Sequence, residues 1–296
     1  MKMIKLSSSE VQISSIGLGC MSLPEDDGLS QKIIDAAISG GINLLDTADL
    51  YQKGLNEEMV GKAMKGKRNQ VVLATKVGNQ LRPDGNGWDW NPRKSYILEA
   101  VERSLKRLQT DFIDLYQLHG GTIDDPWEET LEAFELLKEQ GKIREFGISS
   151  IRPNVIRKVL SDATPATIMM QYSPLDRRPE EAAFSLISTT ETKVLVRGSF
   201  AKGILISKPA GEYLDRSAEE VEEMKEFIHD SGFSPEAFLI RFGLMPAAVG
   251  SLIIGASSVE QVQKMLKGYE ESLSIPERII SDFKENFSPN YYQQHR

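Results

Sequence analysis

Residues Gly17–Ser22 read GLGCMS and close a short apolar run, SSIGLGC, of the kind that forms a buried strand. Two glycines so spaced after a strand open the G-x-G-x-x-G turn of a doubly wound open sheet, whose third glycine lets strand and helix pack closely. Ser22 stands at that third position, so the pattern starts and does not finish. The architecture therefore has to be read from how the rest of the chain repeats.

It repeats by alternation. After SSIGLGC come INLLDTA (42–48), VVLATK (71–76), FIDLYQLH (112–119), EFGISS (145–150), TIMMQYS (167–173), VLVRGS (194–199) and SLIIGA (251–256). Each is almost continuously apolar, as expected of strands in a parallel sheet covered on both faces. Helical patterns fill the gaps. SQKIIDAAISGG stops at Gly40-Gly41, NEEMVGKAM is acidic in its first turn, and PRKSYILEAVERSLKRL sets Ile97, Val101, Leu105 and Leu108 on one stripe. A segment around Ala218–His229 reads as an inserted helix, and SVEQVQKML as the last one. Eight such strands alternating with helices over more than about 250 residues match a (β/α)8 TIM barrel. MIKLSSSEVQI would be an N-terminal β-hairpin closing the barrel base, and residues 1–296 read as one domain without a linker.

Composition narrows the function classes. Lys+Arg 35 against Asp+Glu 43 leaves a net charge of −8 with no basic run, which argues against nucleic-acid and anionic-membrane binding. No stretch approaches the roughly 20 apolar residues of a membrane span, and the N-terminus lacks the continuous apolar core of a signal peptide. The one cysteine, Cys20, excludes an internal disulfide and a Cys-rich metal site. A cytoplasmic protein, without coiled-coil heptads and so expected to be a monomer, fits these features.

Polar residues interrupt the apolar runs at telling places. Asp46 ends the second strand, Lys76 the third and His119 the fourth, while Tyr51 lies in the loop after the second. Active sites of TIM barrels lie at the C-terminal strand ends, so these four converge on one rim. Taken singly, each has a structural explanation: a cap, a solvated ammonium, a locally bonded imidazole, a packed ring. Together they are the clustered titratable groups that site chemistry needs. An ammonium beside a phenol lowers its pKa, a carboxylate holds the ammonium, and a neutral imidazole orients a carbonyl oxygen. The set contains no activated Ser or Cys nucleophile and no metal triad.

The order and spacing of GLGCMSL, LLDTADLY, NEEMVGKAM, LATKVG, SLKRLQTDFIDLYQLHG, FELLKEQGKIREFGISS and LIIGASSVEQVQKML resemble the aldo-keto reductases over nearly the whole chain. The resemblance implies a TIM barrel and hydride transfer from NADPH, with NADH as the other option, to an aldehyde or ketone. It puts the family's tetrad on Asp46, Tyr51, Lys76 and His119, with Tyr51 as proton donor, Lys76 tuning it, Asp46 holding Lys76 and His119 orienting the carbonyl. It places Ser149, Ser150 and Gln171 against the nicotinamide carboxamide, and counts Gly19, Met21 and Asp46 among the cofactor-binding positions. Arg197, Gly198, Ala201, Lys202 and Gly203 form the loop around the pyrophosphate, and Gly255, Ser257 and Gln261 face the adenosine phosphate. The chain departs from the family in having Ser150 for Asn, Gln261 for an Arg, and Lys264-Met265 for Glu-Asn. Those changes remove a bidentate grip on a 2′-phosphate unless Lys264 or Lys267 replaces it.

The loop NQLRPDGNGWDWNP, too rich in Gly, Pro and Asn for a core strand or helix, holds Trp88 and Trp90 above the rim as an expected apolar lid. Met21, Tyr51 and His119 complete the expected substrate pocket, with Leu50 and Phe200 as further wall candidates. Two other readings use parts of the pattern. One is a nicotinamide-cofactor-sensing binding protein with slow, incidental reductase activity; the other is non-redox sugar chemistry on the same barrel. The tail FSPNYYQQHR reads either as a pocket-shaping segment or as a free end.

Overall fold

The computed structural model describes residues 1–6 and 10–296. In chain order the strands are β1 (Met3–Lys5), β2 (Gln12–Ser14), β3 (Ile16–Gly19), β4 (Leu44–Asp46), β5 (Val72–Val77), β6 (Asn79–Leu81), β7 (Trp88–Trp90), β8 (Ile113–Leu118), β9 (Ile143–Ser149), β10 (Thr167–Gln171), β11 (Lys193–Arg197) and β12 (Val249–Gly255). The helices are α1 (Asp27–Ser39), α2 (Leu55–Ala63), α3 (Lys94–Leu108), α4 (Trp127–Glu139), α5 (Pro153–Asp162), α6 (Ala183–Ser188), α7 (Ala218–Asp230), α8 (Pro235–Leu244), α9 (Val259–Ser272) and α10 (Glu277–Asn286).

Among the described residues, eight parallel strands close in the order β10-β11-β12-β3-β4-β5-β8-β9. Each falls on one of the eight apolar runs, because a strand covered by helices outside and side chains inside needs apolar residues at every position. Leu44, Val72, Ala74, Leu115, Met169, Leu195 and Ile253 fill the interior, and Leu6, Val11 and Ile13 pack into the same cluster. The antiparallel β1-β2 pair thereby plugs the barrel base as expected. The expected hairpin's turn at Ser7–Ser9 lies outside the described residues.

The outer shell is built by amphipathic helices. On α3, Ile97, Val101 and Leu108 are fully buried and Leu105 partly so. Each fully buried side chain of this size contributes about 1.5–3 kcal/mol. Asp26, Ser217, Ser234 and Ser258 cap α1, α7, α8 and α9 with side-chain oxygens on the third following N–H. α7 is the insertion anticipated between β11 and α8.

Two elements depart from the sequence reading. The loop NQLRPDGNGWDWNP holds no core strand, as expected, but β6 and β7 form within it a short, largely exposed antiparallel hairpin that was not anticipated, tied across by Arg82 and Asp89. A helix also follows α9: α10 buries Ile280 and Phe283, which sit one turn apart. Among the described residues no helix is long and apolar enough to cross a membrane.

Candidate active site

Strand register assembles the rim. Asp46 lies opposite Ala74, and Lys76, two residues further along β5, therefore points to the same interior face. Lys76 pairs in turn with Gln117, and His119 follows two residues later, again on that face. Asp46 and Lys76 are buried. The Lys76 Nζ donates to Asp46 Oδ2 at 2.7 Å and to the Thr47 carbonyl at 2.7 Å, and lies 3.5 Å from the Tyr51 hydroxyl. Gln117 Nε2 reaches the other Asp46 oxygen at 3.5 Å. The Tyr51 and His119 rings meet edge-on, with centroids 5.8 Å apart.

Tyr51 opens a 3-10 turn whose next residues, Gln52, Lys53 and Gly54, all adopt positive φ (49°, 55° and 95°). Two successive non-glycine residues in this region cost on the order of 1–3 kcal/mol each, and persist only where the surroundings hold them. Gly54 is required, because a Cβ there would also sit 2.9 Å from Arg107 Cδ.

Burial dominates the electrostatics. The His119 imidazole is pushed down to about 3, first by burial and then by Lys76 and Arg197, so it stays neutral across the working range. Its Nδ1 is buried without a hydrogen-bond partner among the described residues. Burial also acts to lower the Lys76 pKa, but the Asp46 carboxylate and Tyr51 outweigh it and hold the group as an ammonium. The sequence reading expects a lowered Tyr51 pKa. The net direction is instead upward, because burial of the phenol exceeds the opposing pull of Lys76.

Asp49 was not singled out in the sequence. It is buried beside Glu57, whose carboxylate bridges Thr75 at 2.6 Å and Arg107 at 2.7 Å. Asp49 Oδ1 has no hydrogen-bond partner among the described residues, and burial, then the Glu57 charge, push its pKa up to about 7. A carboxyl raised above its unfolded value of about 3.9 contributes stability that is full below that value and lost as pH climbs through about 7. Asp49→Asn is therefore expected to gain on wild type as pH rises from 5 to 8.5, by about 3 kcal/mol in chemical unfolding. A gap that stayed constant with pH would reject the raised pKa.

The expected cofactor positions form one tract on the C-terminal face. Gly19 and Gly255 pair across β3 and β12, and a Cβ on Gly255 would fall 2.4 Å from Ser22 Oγ. Gly198 (φ 71°), Ala201 (44°), Lys202 (57°) and Gly203 (82°) curl the loop after β11, with Arg197, Gly198 and Lys202 exposed. Ser149 ends β9 and Ser150 follows it, its Oγ accepting the Arg152 N–H at 3.2 Å. Gln171 is already engaged: Nε2 donates to Asp176 at 2.9 Å and Tyr213 at 3.2 Å, and Oε1 accepts from Arg197 at 3.0 Å. Asp176 and Tyr213 carry no sequence signal, since their partner lies on another element. A side-chain-free backbone, an exposed cationic loop and buried unpartnered polar atoms at His119 and Ser173 make this tract fit a nicotinamide dinucleotide.

The positions expected at the adenosine phosphate are more sparsely equipped. Gln261 Oε1 accepts the Ser257 N–H at 2.7 Å, folding the exposed side chain onto its own turn. Lys264 is paired with Glu260 at 3.0 Å. Met265 faces the core, 2 % exposed, and packs there instead of offering a polar group where the resemblance implies an amide.

The two loop tryptophans separate. Trp90 lies on two glycines, since a Cβ on Gly78 or Gly120 would come within 2.6 or 3.2 Å of its ring, and its N–H donates to Asp125 at 3.0 Å. It thus walls the turn that follows His119. Trp88 is 47 % exposed and Met21 63 %, while Leu50 and Phe200 are half-buried. The tail is bound rather than free: Asn290 accepts the Arg177 N–H at 2.7 Å, Glu181 the Tyr292 N–H at 3.0 Å, and the His295 carbonyl the Asn154 N–H at 3.0 Å. It borders a cavity of about 420 Å³ that begins at Ile151 and Arg152, directly after Ser150.

Comparison with known proteins places this geometry in a family. Residues 15–279 match the model described as the aldo/keto reductase family. The chain is 43 % identical, over the full length of both, to the "Uncharacterized oxidoreductase YqkF" of Bacillus subtilis. It is 31 % identical to the "Aldo-keto reductase yakc [NADP(+)]" of Schizosaccharomyces pombe, over 65 % of this chain and 60 % of that one. Among solved structures it resembles the aldo-keto reductase AKR11C1 from Bacillus halodurans, covering 100 % of this chain and 99 % of that one. The TM-score is 0.96 for the holo form at 46 % identity and 0.88 for the apo form at 44 %.

Proposed function

The chain belongs to the aldo/keto reductase family, and from that premise we propose that it reduces aldehydes or ketones to alcohols with NADPH as preferred reductant and Tyr51 as proton donor. The observation that carries the reading is the Asp46–Lys76–Tyr51 contact series, faced by the uncharged His119. When bound, the reduced nicotinamide supplies the hydride that goes to the carbonyl carbon.

The chain's own groups handle the oxygen. As negative charge develops there, the Tyr51 hydroxyl gives it a proton, and the Lys76 ammonium stabilises the phenolate left behind. Asp46 and the Thr47 carbonyl keep that ammonium charged and aimed. The neutral His119 orients the substrate oxygen without competing as an acid. Ser149, Ser150 and Gln171 would hold the carboxamide end, and the Arg197–Gly203 loop the pyrophosphate. Ser257, Gln261 and the N-terminal dipole of α9 would meet the adenosine phosphate. The preference for NADPH is supported by the NADP(+) in the yeast relative's name, and cofactor use in general by the closer likeness to a holo structure. A built proton-donor contact favours turnover over cofactor sensing.

The test is oxidation of NADPH and of NADH with a reactive aromatic aldehyde. Turnover with both is expected, with kcat/KM higher for NADPH. Equal or inverted values would overturn the cofactor preference, and binding without turnover would overturn the reductase reading.

A further inference from the structure

Asn56, the second residue of α2, is fully buried and spends its whole amide on the rim. Its Oδ1 accepts from Thr47 Oγ1 at 2.7 Å, and its Nδ2 donates to the Cys20 carbonyl at 2.8 Å and to Gln52 Oε1 at 3.0 Å. Each partner adjoins the candidate site. Thr47 follows Asp46, and its own carbonyl takes a Lys76 hydrogen. Gln52 follows Tyr51 and is the first of the left-handed residues. Cys20 follows β3, the strand next to β4 in the barrel.

We propose that Asn56 is a positioning residue that sets the separation of Lys76 from the Tyr51 hydroxyl, and so the acidity of that hydroxyl. The inference rests on Tyr51 being the proton donor. One amide grips the segment on either side of the Lys76–Tyr51 contact. It also supplies the tertiary restraint that successive left-handed residues need in order to persist. No other side-chain type of this size accepts one bond and donates two in that fork. If the clamp opens and the 3.5 Å contact lengthens by about 1.5 Å, the ammonium's hold on the phenolate weakens. At an effective dielectric near 20 that raises the phenol pKa by about one unit.

The experiment compares Asn56→Ala and Thr47→Val with wild type in two measurements. One is NMR of protein labelled with 13Cζ-tyrosine, the Tyr51 resonance being identified by its loss in Tyr51→Phe. The other is kcat with an aldehyde at saturating NADPH, with the cofactor KM. For Asn56→Ala the phenolate-to-phenol ratio of Tyr51 at pH 11 should fall about tenfold and kcat 10- to 100-fold, with KM within threefold. Thr47→Val, which keeps the side-chain shape, should move both readouts the same way by less. A folded variant whose Tyr51 ionisation matches wild type overturns the proposal, whatever happens to its thermal stability. If Asn56→Ala does not fold, Thr47→Val decides alone. A Tyr51→Phe protein with full turnover would remove the proton-donor reading instead, leaving the NMR result to judge the clamp.

Discussion

Tyr51→Phe should lower kcat for aldehyde reduction by roughly 100- to 10,000-fold, the usual contribution of a positioned general acid. Stability and cofactor affinity should stay almost unchanged, and the reason lies in what the hydroxyl touches. Among the described residues its one hydrogen-bond contact is the 3.5 Å approach of Lys76, which keeps its shorter bonds to Asp46 and Thr47 without it. The ring remains, and with it the edge-on packing against His119 and the ammonium 5.1 Å from its centroid. A loss confined to turnover therefore separates proton donation from loop architecture. Single-turnover rates and cofactor titration by fluorescence check it. Wild-type turnover in the variant would mean that the proton comes from another group, and the neutral His119 could not replace Tyr51 without a much higher pKa.

The barrel was legible because its determinants are local and repeated. A strand covered on both faces must be apolar throughout, and eight such runs survive in the linear text. β6 and β7 were missed for the opposite reason: three-residue strands, exposed over much of their length, leave no alternation to read. α10 was missed because its apolar positions, Ile279, Ile280 and Phe283, span little more than one turn beyond a proline. Asp46, Lys76 and His119 showed themselves as polar interruptions at strand ends, where register brings them onto one face, and Tyr51 as a ring in the polar loop after β4. Asn56 and Asp49 did not, since their meaning lies in partners on other elements, and neither did the contacts of Gln171 with Asp176 and Tyr213. The direction of the Tyr51 pKa was misread for a related reason. Charge proximity can be guessed from two strand ends, whereas depth of burial depends on every loop that covers them.

Lys76→Met tests the same site from its most buried member, and the expected damage is of two kinds. The substitution is close in length and apolar, so it fills the barrel interior without a large cavity. Among the described residues it leaves the Asp46 carboxylate, 4 % exposed, with only the 3.5 Å contact from Gln117 on one oxygen. Breaking a buried pair from one side costs about 3–5 kcal/mol, since the remaining charge is uncompensated. For a chain of this size that is a fall in Tm on the order of 10 °C. Burial already pushes the Asp46 pKa up, and without Lys76 the carboxyl should take up a proton more readily, making the penalty smaller at low pH. Turnover should fall at least as far as in Tyr51→Phe, because the phenolate loses the ammonium in contact with it and keeps only the weaker pull of Arg197 among the described residues. The double variant Asp46→Asn/Lys76→Met separates the two effects. With no charge left unpaired, most of the lost stability should return, while turnover stays at the level of the single variant. Recovery of turnover in the double variant would show that Lys76 serves only to neutralise Asp46. Failure of stability to recover would show instead that the ammonium's bond to the Thr47 carbonyl holds the loop by itself.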